Sequence, residues 1–146
     1  MRKYCLSLLL LLLTLVSNAV EPPKREIRGV WLTTVYGLDW PRKPATTETG
    51  RKAQQRDVCD ILDRLQDANF NTVFLQVRMR GDVIWRSAIE PASKTFSGKY
   101  GMMPGYDPLA FVVDECHKRG MECHAWFVTF PLGTDKSVKE QGKLSV

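Results

Sequence analysis

The chain has 146 residues, of which 44% are hydrophobic and 25% are charged, and its formal net charge is +5. This composition is that of a globular protein of about one domain, and it excludes wholesale disorder. No run of Lys and Arg is interleaved with aromatic residues, so we expect no nucleic-acid partner. The lysines near the C-terminus are interpreted as a solvated face: Lys136, Lys139 and Lys143.

The N-terminal segment has the pattern of a secretory signal peptide. Arg2 and Lys3 precede an apolar run over Leu6–Val16, and small residues follow up to Ala19. The run is shorter than the roughly 20 residues that span a bilayer, so a cleaved signal over residues 1–19 is favoured over an uncleaved membrane anchor. We therefore expect a secreted, periplasmic or cell-envelope location, with membrane contact only through the signal peptide during export.

Strands and amphipathic helices alternate along the remaining chain. After an exposed lead-in over residues 20–26, the β-branched and aromatic run Ile27–Val35 predicts a buried strand. An apolar stripe predicts a helix over residues 51–68, with Asn69 as a left-handed stop. Residues 72–77 predict a second strand.

The long segment over residues 79–106 is rich in Gly and Pro and is predicted to be mostly irregular. Loops of this length in compact domains are usually functional or disordered. Asp107-Pro108 then predicts a helix start, because an acidic N-cap is followed by proline at the first helical position. Gly120 ends that helix, residues 121–129 predict a third strand, and the tail is predicted to be loop with a weak helical tendency.

This order predicts an α/β fold with parallel strands and right-handed crossovers. A (β/α)₈ barrel takes about 250 residues, so the predicted βα units make only part of such a fold. We therefore expect a chain that is cut short relative to a complete barrel.

The segment CHKRGMECHAW, residues 116–126, looks like a metal or redox site, since it holds both histidines and two of the four cysteines. However, Cys116 belongs to a helix stripe, whereas Cys123 and His124 are strand neighbours that point to opposite faces. Because the side chains do not converge and match no zinc spacing, we expect no metal and no cofactor. A Cys116–Cys123 disulfide stays open; with Cys59, the predicted mature chain has an odd number of cysteines.

Three stretches carry a resemblance to a known family. REIRGVWLTTVYGLDWP, FNTVFLQVRMRGDVIWRSAIEP and GYDPLAFVVDECHKRGMECHAWF resemble the N-terminal part of the family 10-like glycosyl hydrolases. The resemblance covers residues 25–133 and implies a secreted bacterial TIM barrel that acts on glycans. It makes residues 27–146 a partial barrel domain of about three βα units.

The resemblance implies the N-terminal fragment of a glycoside hydrolase-like protein that cleaves glycosidic bonds of a polysaccharide or cell-envelope glycan. Its expected partner is therefore a glycan substrate. Family members carry their catalytic acids on later strands, so this chain is expected to lack them. The alternative is a truncated, non-catalytic product or a glycan-binding remnant without turnover.

In such a barrel the site lies at the carboxyl ends of the strands. On strand three, His124 and Trp126 are predicted to face the barrel interior and to bind a sugar by hydrogen bonding and stacking; the alternative is core packing. After strand one, Trp40 is a candidate stacking platform. Asp39 is predicted either to bind a hydroxyl or to cap a turn.

Arg78 stands at the end of strand two. Its guanidinium fork suits a carboxylate, either of the substrate or of a catalytic acid, and the alternative is an ion pair with a structural acid such as Asp82. Glycoside hydrolysis usually needs two carboxylates. The loop acids show no recognisable pair, so the catalytic residues stay unassigned: Asp39, Asp82, Glu90 and Asp135.

Overall fold

The computed structural model describes residues 25–142. The predicted signal peptide and most of the lead-in lie outside the described residues. In chain order the elements are β1 (Gly29–Leu32), a 3₁₀ turn (Val35–Gly37), α1 (Glu48–Asp67), β2 (Thr72–Met79), β3 (Asp82–Val83), α2 (Lys94–Ser97), α3 (Pro108–Lys118), β4 (Glu122–Phe127) and α4 (Asp135–Gln141). None of the helices within residues 25–142 has the length and apolar character needed to cross a membrane.

The sheet is centred on β2. Strands β1 and β4 both pair with β2 in parallel, which confirms the predicted parallel βα arrangement. Strand β3 pairs antiparallel with the last two residues of β2. The segment after β2 was expected to be mostly irregular, so β3 and the short helix α2 are additions to the predicted order.

The two longer helices begin and end at local sequence signals. Helix α1 starts a little before the predicted residue 51, because the Thr47 side chain accepts a hydrogen bond from the Gly50 amide. Asn69 follows it with φ of 61°, the predicted left-handed stop. Helix α3 is capped by Asp107, whose Oδ1 accepts from the Ala110 amide at 3.0 Å. These caps satisfy amides that the helix itself leaves unpaired.

Strand β1 is shorter than predicted. It ends at Leu32 rather than Val35, because the following amides bind side chains instead of a neighbouring strand. The Thr33 amide donates to Asp39 Oδ2 at 2.8 Å. The next two amides donate to Gln76 Oε1 at 3.0 and 2.9 Å, so a buried glutamine of β2 turns the chain into the loop that follows.

One face of the sheet packs on α1 and α3 to form the core. Cys123 lies against this core, as the predicted strand alternation requires. The buried residues at its centre come from the sheet and both helices: Leu32, Val58, Leu62, Val73, Leu75, Val77, Val112 and Cys116.

The second face of the sheet carries a row of aromatic rings. Trp31 stacks on Phe74 with ring centroids 4.7 Å apart and meets Trp126 edge-on at 4.9 Å. The ring of His124 lies 5.4 Å from that of Phe74. Trp31 is 57% exposed, so within the described residues this aromatic face has little cover. His124 and Trp126 therefore lie opposite the helices, on the face that the alternation predicts.

Candidate functional site

A cavity of about 570 Å³ lies where the strands end. Every segment that lines it follows the carboxyl end of a parallel strand, which is the face that carries the active site in (β/α)₈ barrels. The lining residues are Tyr36, Pro41, Arg42 and Pro44 after β1, Arg80, Lys94, Thr95, Gly98 and Tyr100 after β2, and Thr134, Lys136, Ser137 and Glu140 after β4.

Positive charge dominates the cavity. Four cationic side chains line it, and Glu140 is the one acidic lining residue among residues 25–142. Lys94 Nζ lies 2.5 Å from Glu140 Oε2. The hydrogen bond to Glu140 raises the pKa of Lys94 above its ordinary value, and the charge of Arg80 opposes part of that rise. Arg42 and Lys136 form no ion pair in the described part of the chain.

Two cavity residues have unusual backbone conformations. Tyr36 has φ of 55° and Arg80 has φ of 47°, in the left-handed region that costs a residue other than glycine about 1–3 kcal/mol. Their side chains meet, with the Arg80 guanidinium 4.3 Å from the centroid of the Tyr36 ring. Strained residues of this kind cluster at functional sites.

A buried glutamine holds the cavity walls together. Gln54 Nε2 donates to the carbonyls of Lys43 at 2.7 Å and Phe96 at 2.9 Å, and Gln54 Oε1 accepts from the Tyr106 hydroxyl at 2.9 Å. Gln54 thereby joins the β1–α1 loop to helix α2. The apolar stripe that predicts α1 from the sequence does not include Gln54. Its spacing of four residues before Val58 is the signal that could have placed it on the buried stripe.

Trp40 is not available to a sugar, so the predicted stacking platform is wrong. The side chain is 0% exposed and meets the Phe96 ring edge-on at 4.9 Å. Its Nε1 donates to the Gln54 carbonyl at 2.8 Å. The indole is a core residue because both its apolar body and its polar N–H are satisfied inside the protein.

Asp39 caps a turn, which was the alternative to the predicted binding of a sugar hydroxyl. Its carboxylate accepts the Thr33 amide, and the residue is exposed outside the cavity lining. Asp in loops commonly binds backbone amides in this way.

The Arg78 guanidinium forms hydrogen bonds with a carboxylate and a backbone carbonyl of the protein itself. Its Nε lies 2.9 and 2.8 Å from the two Glu90 carboxylate oxygens, and Nη2 lies 2.5 Å from Oε1. Its Nη1 donates to the Val128 carbonyl at 2.7 Å. The acid that pairs with Arg78 is therefore Glu90 and not Asp82, because the fork points towards the loop that carries Glu90 and the end of β4.

Asp82 is 1% exposed, and its carboxylate oxygens have no hydrogen-bond partner among the described residues. Burial raises the pKa of Asp82 to about 6, and the charge of Arg80 offsets part of that rise. A buried carboxylate is costly to a fold unless it is paired. The nearby Arg80 charge and the Ser93 side chain favour the ionised form of Asp82, which lies outside the cavity lining.

His124 and Trp126 lie on the aromatic face and not at the cavity. His124 Nε2 is 2.9 Å from Glu122 Oε2, in a pair that is largely exposed. None of the five predicted binding residues lines the cavity, and sequence reasoning did not select its cationic residues. Lys136 was interpreted as part of a solvated face, although it lines the cavity.

The cysteines show no metal arrangement. Within residues 25–142 no group of three or more His, Cys, Asp or Glu side chains is placed to hold a metal ion. Among the described residues Cys59, Cys116 and Cys123 form no disulfide with one another. A hydrogen bond with Cys123, together with burial, raises the pKa of the Cys116 thiol well above its usual range.

The parallel βα order and the cavity define a mixed α/β protein whose candidate site lies among the loops that follow the carboxyl ends of the strands. The chain belongs to the family described as Glycosyl hydrolase-like 10, whose profile matches residues 26–143. It is 50% identical over 111 residues to "Glycosyl hydrolase DigH" of Escherichia coli K12, an alignment that covers 73% of this chain and 25% of that protein. It is 41% identical over 103 residues to "Glycosyl hydrolase YngK" of Bacillus subtilis 168, covering 70% of this chain and 20% of that protein. The chain thus spans a quarter or less of the length of these relatives.

Proposed function

We propose that this chain forms the first βα units of a secreted glycoside hydrolase-like (β/α)₈ barrel, which cleaves glycosidic bonds in a polysaccharide or cell-envelope glycan. The observation that carries the proposal is the cavity at the carboxyl ends of the parallel strands, in a chain of the Glycosyl hydrolase-like 10 family. Residues 1–19 are its signal peptide, and residues 27–146 are its partial barrel domain.

The aromatic face supports the barrel part of this proposal. In a (β/α)₈ barrel the side chains opposite the helices fill the interior in layers. Trp31, Phe74, His124 and Trp126 occupy that position here, and the exposed rings lack the cover that further strands would supply. His124 and Trp126 therefore belong to the barrel interior in the complete protein, with Trp126 nearer the strand ends.

The described acids do not supply a hydrolytic pair at the cavity. Glycosidic cleavage usually needs two carboxylates, about 5–5.5 Å apart for retention or about 6.5–9.5 Å for inversion. Glu140 is held by Lys94, Glu90 is held by Arg78, and Asp82 is enclosed. The catalytic acids are therefore proposed to lie outside this segment, which contributes binding surface. The same observation favours the second candidate, glycan binding without turnover.

The test combines the coding sequence with an assay. Reading the DNA beyond codon 146 shows whether further βα units with strand-end acids follow in this frame or a neighbouring one. The protein with those units should release reducing ends from polysaccharide or cell-wall glycan, whereas the 146-residue chain should bind without release. An extended protein that neither binds nor cleaves any glycan refutes the proposal. A stop codon with no further units leaves only the binding candidate.

A further inference from the structure

The charges of the cavity come from separate segments of the chain. Arg42 follows β1, Arg80 follows β2 and Lys136 belongs to α4. A cleft in which charges of one sign outnumber the other focuses the electrostatic potential and attracts ligands of the opposite sign; here, among the described residues, four cations face one acid, Glu140. Building on the proposed action on glycans, we infer that the cavity binds an oxyanion substituent of a sugar chain: a carboxylate, sulfate or phosphate group.

Ordinary surface cations are solvated and carry no such implication, and Lys139 on α4 is an example. The cavity differs because donors in its wall are enclosed without partners. Arg80 Nε and the Tyr100 hydroxyl are both buried and have no hydrogen-bond partner among the described residues. Native proteins rarely leave buried donors unpaired. Both residues line the cavity, so unsatisfied donor groups lie just behind its wall, where their dipoles favour a bound anion.

Arg80 is the anchor of the site because its position is fixed from several sides. Its guanidinium stacks on Tyr36, and its carbonyl accepts a hydrogen bond from Gln141 Nε2 at 3.0 Å. A planar guanidinium presents paired N–H groups that match the oxygens of a carboxylate, sulfate or phosphate. Holding that group in place before binding lowers the entropy lost when the ligand is bound.

The remaining cations divide into two roles. Lys94 is paired with Glu140 and lies 4.9 Å from the centroid of the Tyr100 ring, so it fixes the wall. Arg42 and Lys136 are exposed residues of the cavity lining that form no ion pair within residues 25–142, and they add attraction for an anion. Their charges can therefore be removed without breaking an ion pair of the protein.

The test is an NMR titration of the isotope-labelled chain with matched monosaccharides: methyl glucuronide, methyl glucose 6-sulfate and neutral methyl glucoside. The two charged sugars should shift resonances around the cavity and bind about tenfold more tightly than the neutral sugar. Added salt should weaken that preference. The double variant Arg42→Gln/Lys136→Gln should lose part of the preference, because Arg80 remains, while its remaining spectrum is unchanged. Lys139→Gln, on the same helix but outside the cavity, should keep it.

Equal binding of charged and neutral sugars, or an equal loss in Lys139→Gln, overturns the inference. A series of neutral oligosaccharides separates this failure from failure of the proposed function. If neutral oligosaccharides bind and charged groups add nothing, the anion site is refuted while glycan binding stands. If inorganic sulfate binds at the cavity and an attached sugar adds no affinity, the glycan function fails and the inference fails with it.

Discussion

The buried carboxylate of Asp82 gives the sharpest stability prediction, the effect of replacing it with asparagine. Burial raises the pKa of Asp82 from 3.8 to about 6, a rise of about two pH units. At about 1.4 kcal/mol per unit, the ionised group costs the fold about 3 kcal/mol. The sign follows from proton binding. Between these two pKa values the folded state holds a proton that the unfolded state releases, so stability falls as pH rises and is lowest above about pH 6.

Asp82→Asn removes the charge at every pH. An amide left unpaired in the same place adds a cost of about 1–3 kcal/mol that does not depend on pH. The quantity to measure is therefore how the difference in unfolding free energy between the variant and the wild type changes with pH. Relative to the wild type, the variant should gain about 3 kcal/mol of unfolding free energy between about pH 3 and about pH 8.

Urea unfolding followed by tryptophan fluorescence measures this difference, since Trp40 is fully buried in the folded state. Asp57→Asn is the matched control, because it makes the same substitution at an exposed position of α1. If the effect of Asp82→Asn is the same at both ends of the pH range, the carboxyl does not have a raised pKa and the reasoning is refuted.

Three further outcomes are expected. Glu90→Ala should destabilise the protein by about 3–5 kcal/mol in urea unfolding, because it leaves the Arg78 guanidinium, only 16% exposed, without a carboxylate partner. A double-mutant cycle with Arg78→Met should show strong coupling between the two residues, and additive effects would contradict the pairing. Gln54→Met should reduce the free energy of unfolding by about 2–3 kcal/mol and Tyr106→Phe by about 1 kcal/mol, because the first removes all three side-chain hydrogen bonds and the second only one. Equal costs would refute the role of Gln54 in joining the β1–α1 loop to helix α2. The 146-residue chain should bind an apolar dye through its aromatic face, and Trp31→Ser should reduce dye binding without lowering the midpoint temperature of thermal unfolding. Unchanged dye binding in this variant would show that the aromatic face is covered.

Local signals explain why most elements could be predicted from the sequence. Helix α3 begins and ends where Asp107-Pro108 and Gly120 place it, because capping depends on residues next to the helix end. The end of β1 could not be predicted in this way. It is set by the Gln76 side chain, 42 positions away from the Thr34 amide that it binds.

The same distinction applies to the site. That a cavity lies among the loops after the strands was predictable, because it depends only on the parallel βα order. The residues were not, because the exposure of a loop side chain depends on distant partners. Trp40 looks exposed in the sequence, yet Phe96 and Gln54 enclose it. Arg78 looks free, yet it reaches Glu90 and the end of β4.

Arg80 shows why the cavity itself gave no sequence signal. In a sequence, glycine is the usual signal for a left-handed backbone conformation. Here Arg80 and Tyr36 both adopt that conformation, and their side chains meet at the cavity wall. The arrangement is unfavourable to folding, since it combines backbone strain with a buried Arg80 Nε that has no hydrogen-bond partner among the described residues. Residues that break local rules without an evident structural gain are expected at functional sites. The proposed oxyanion would offset only the part of this cost that comes from the Arg80 guanidinium, because opposite charges attract.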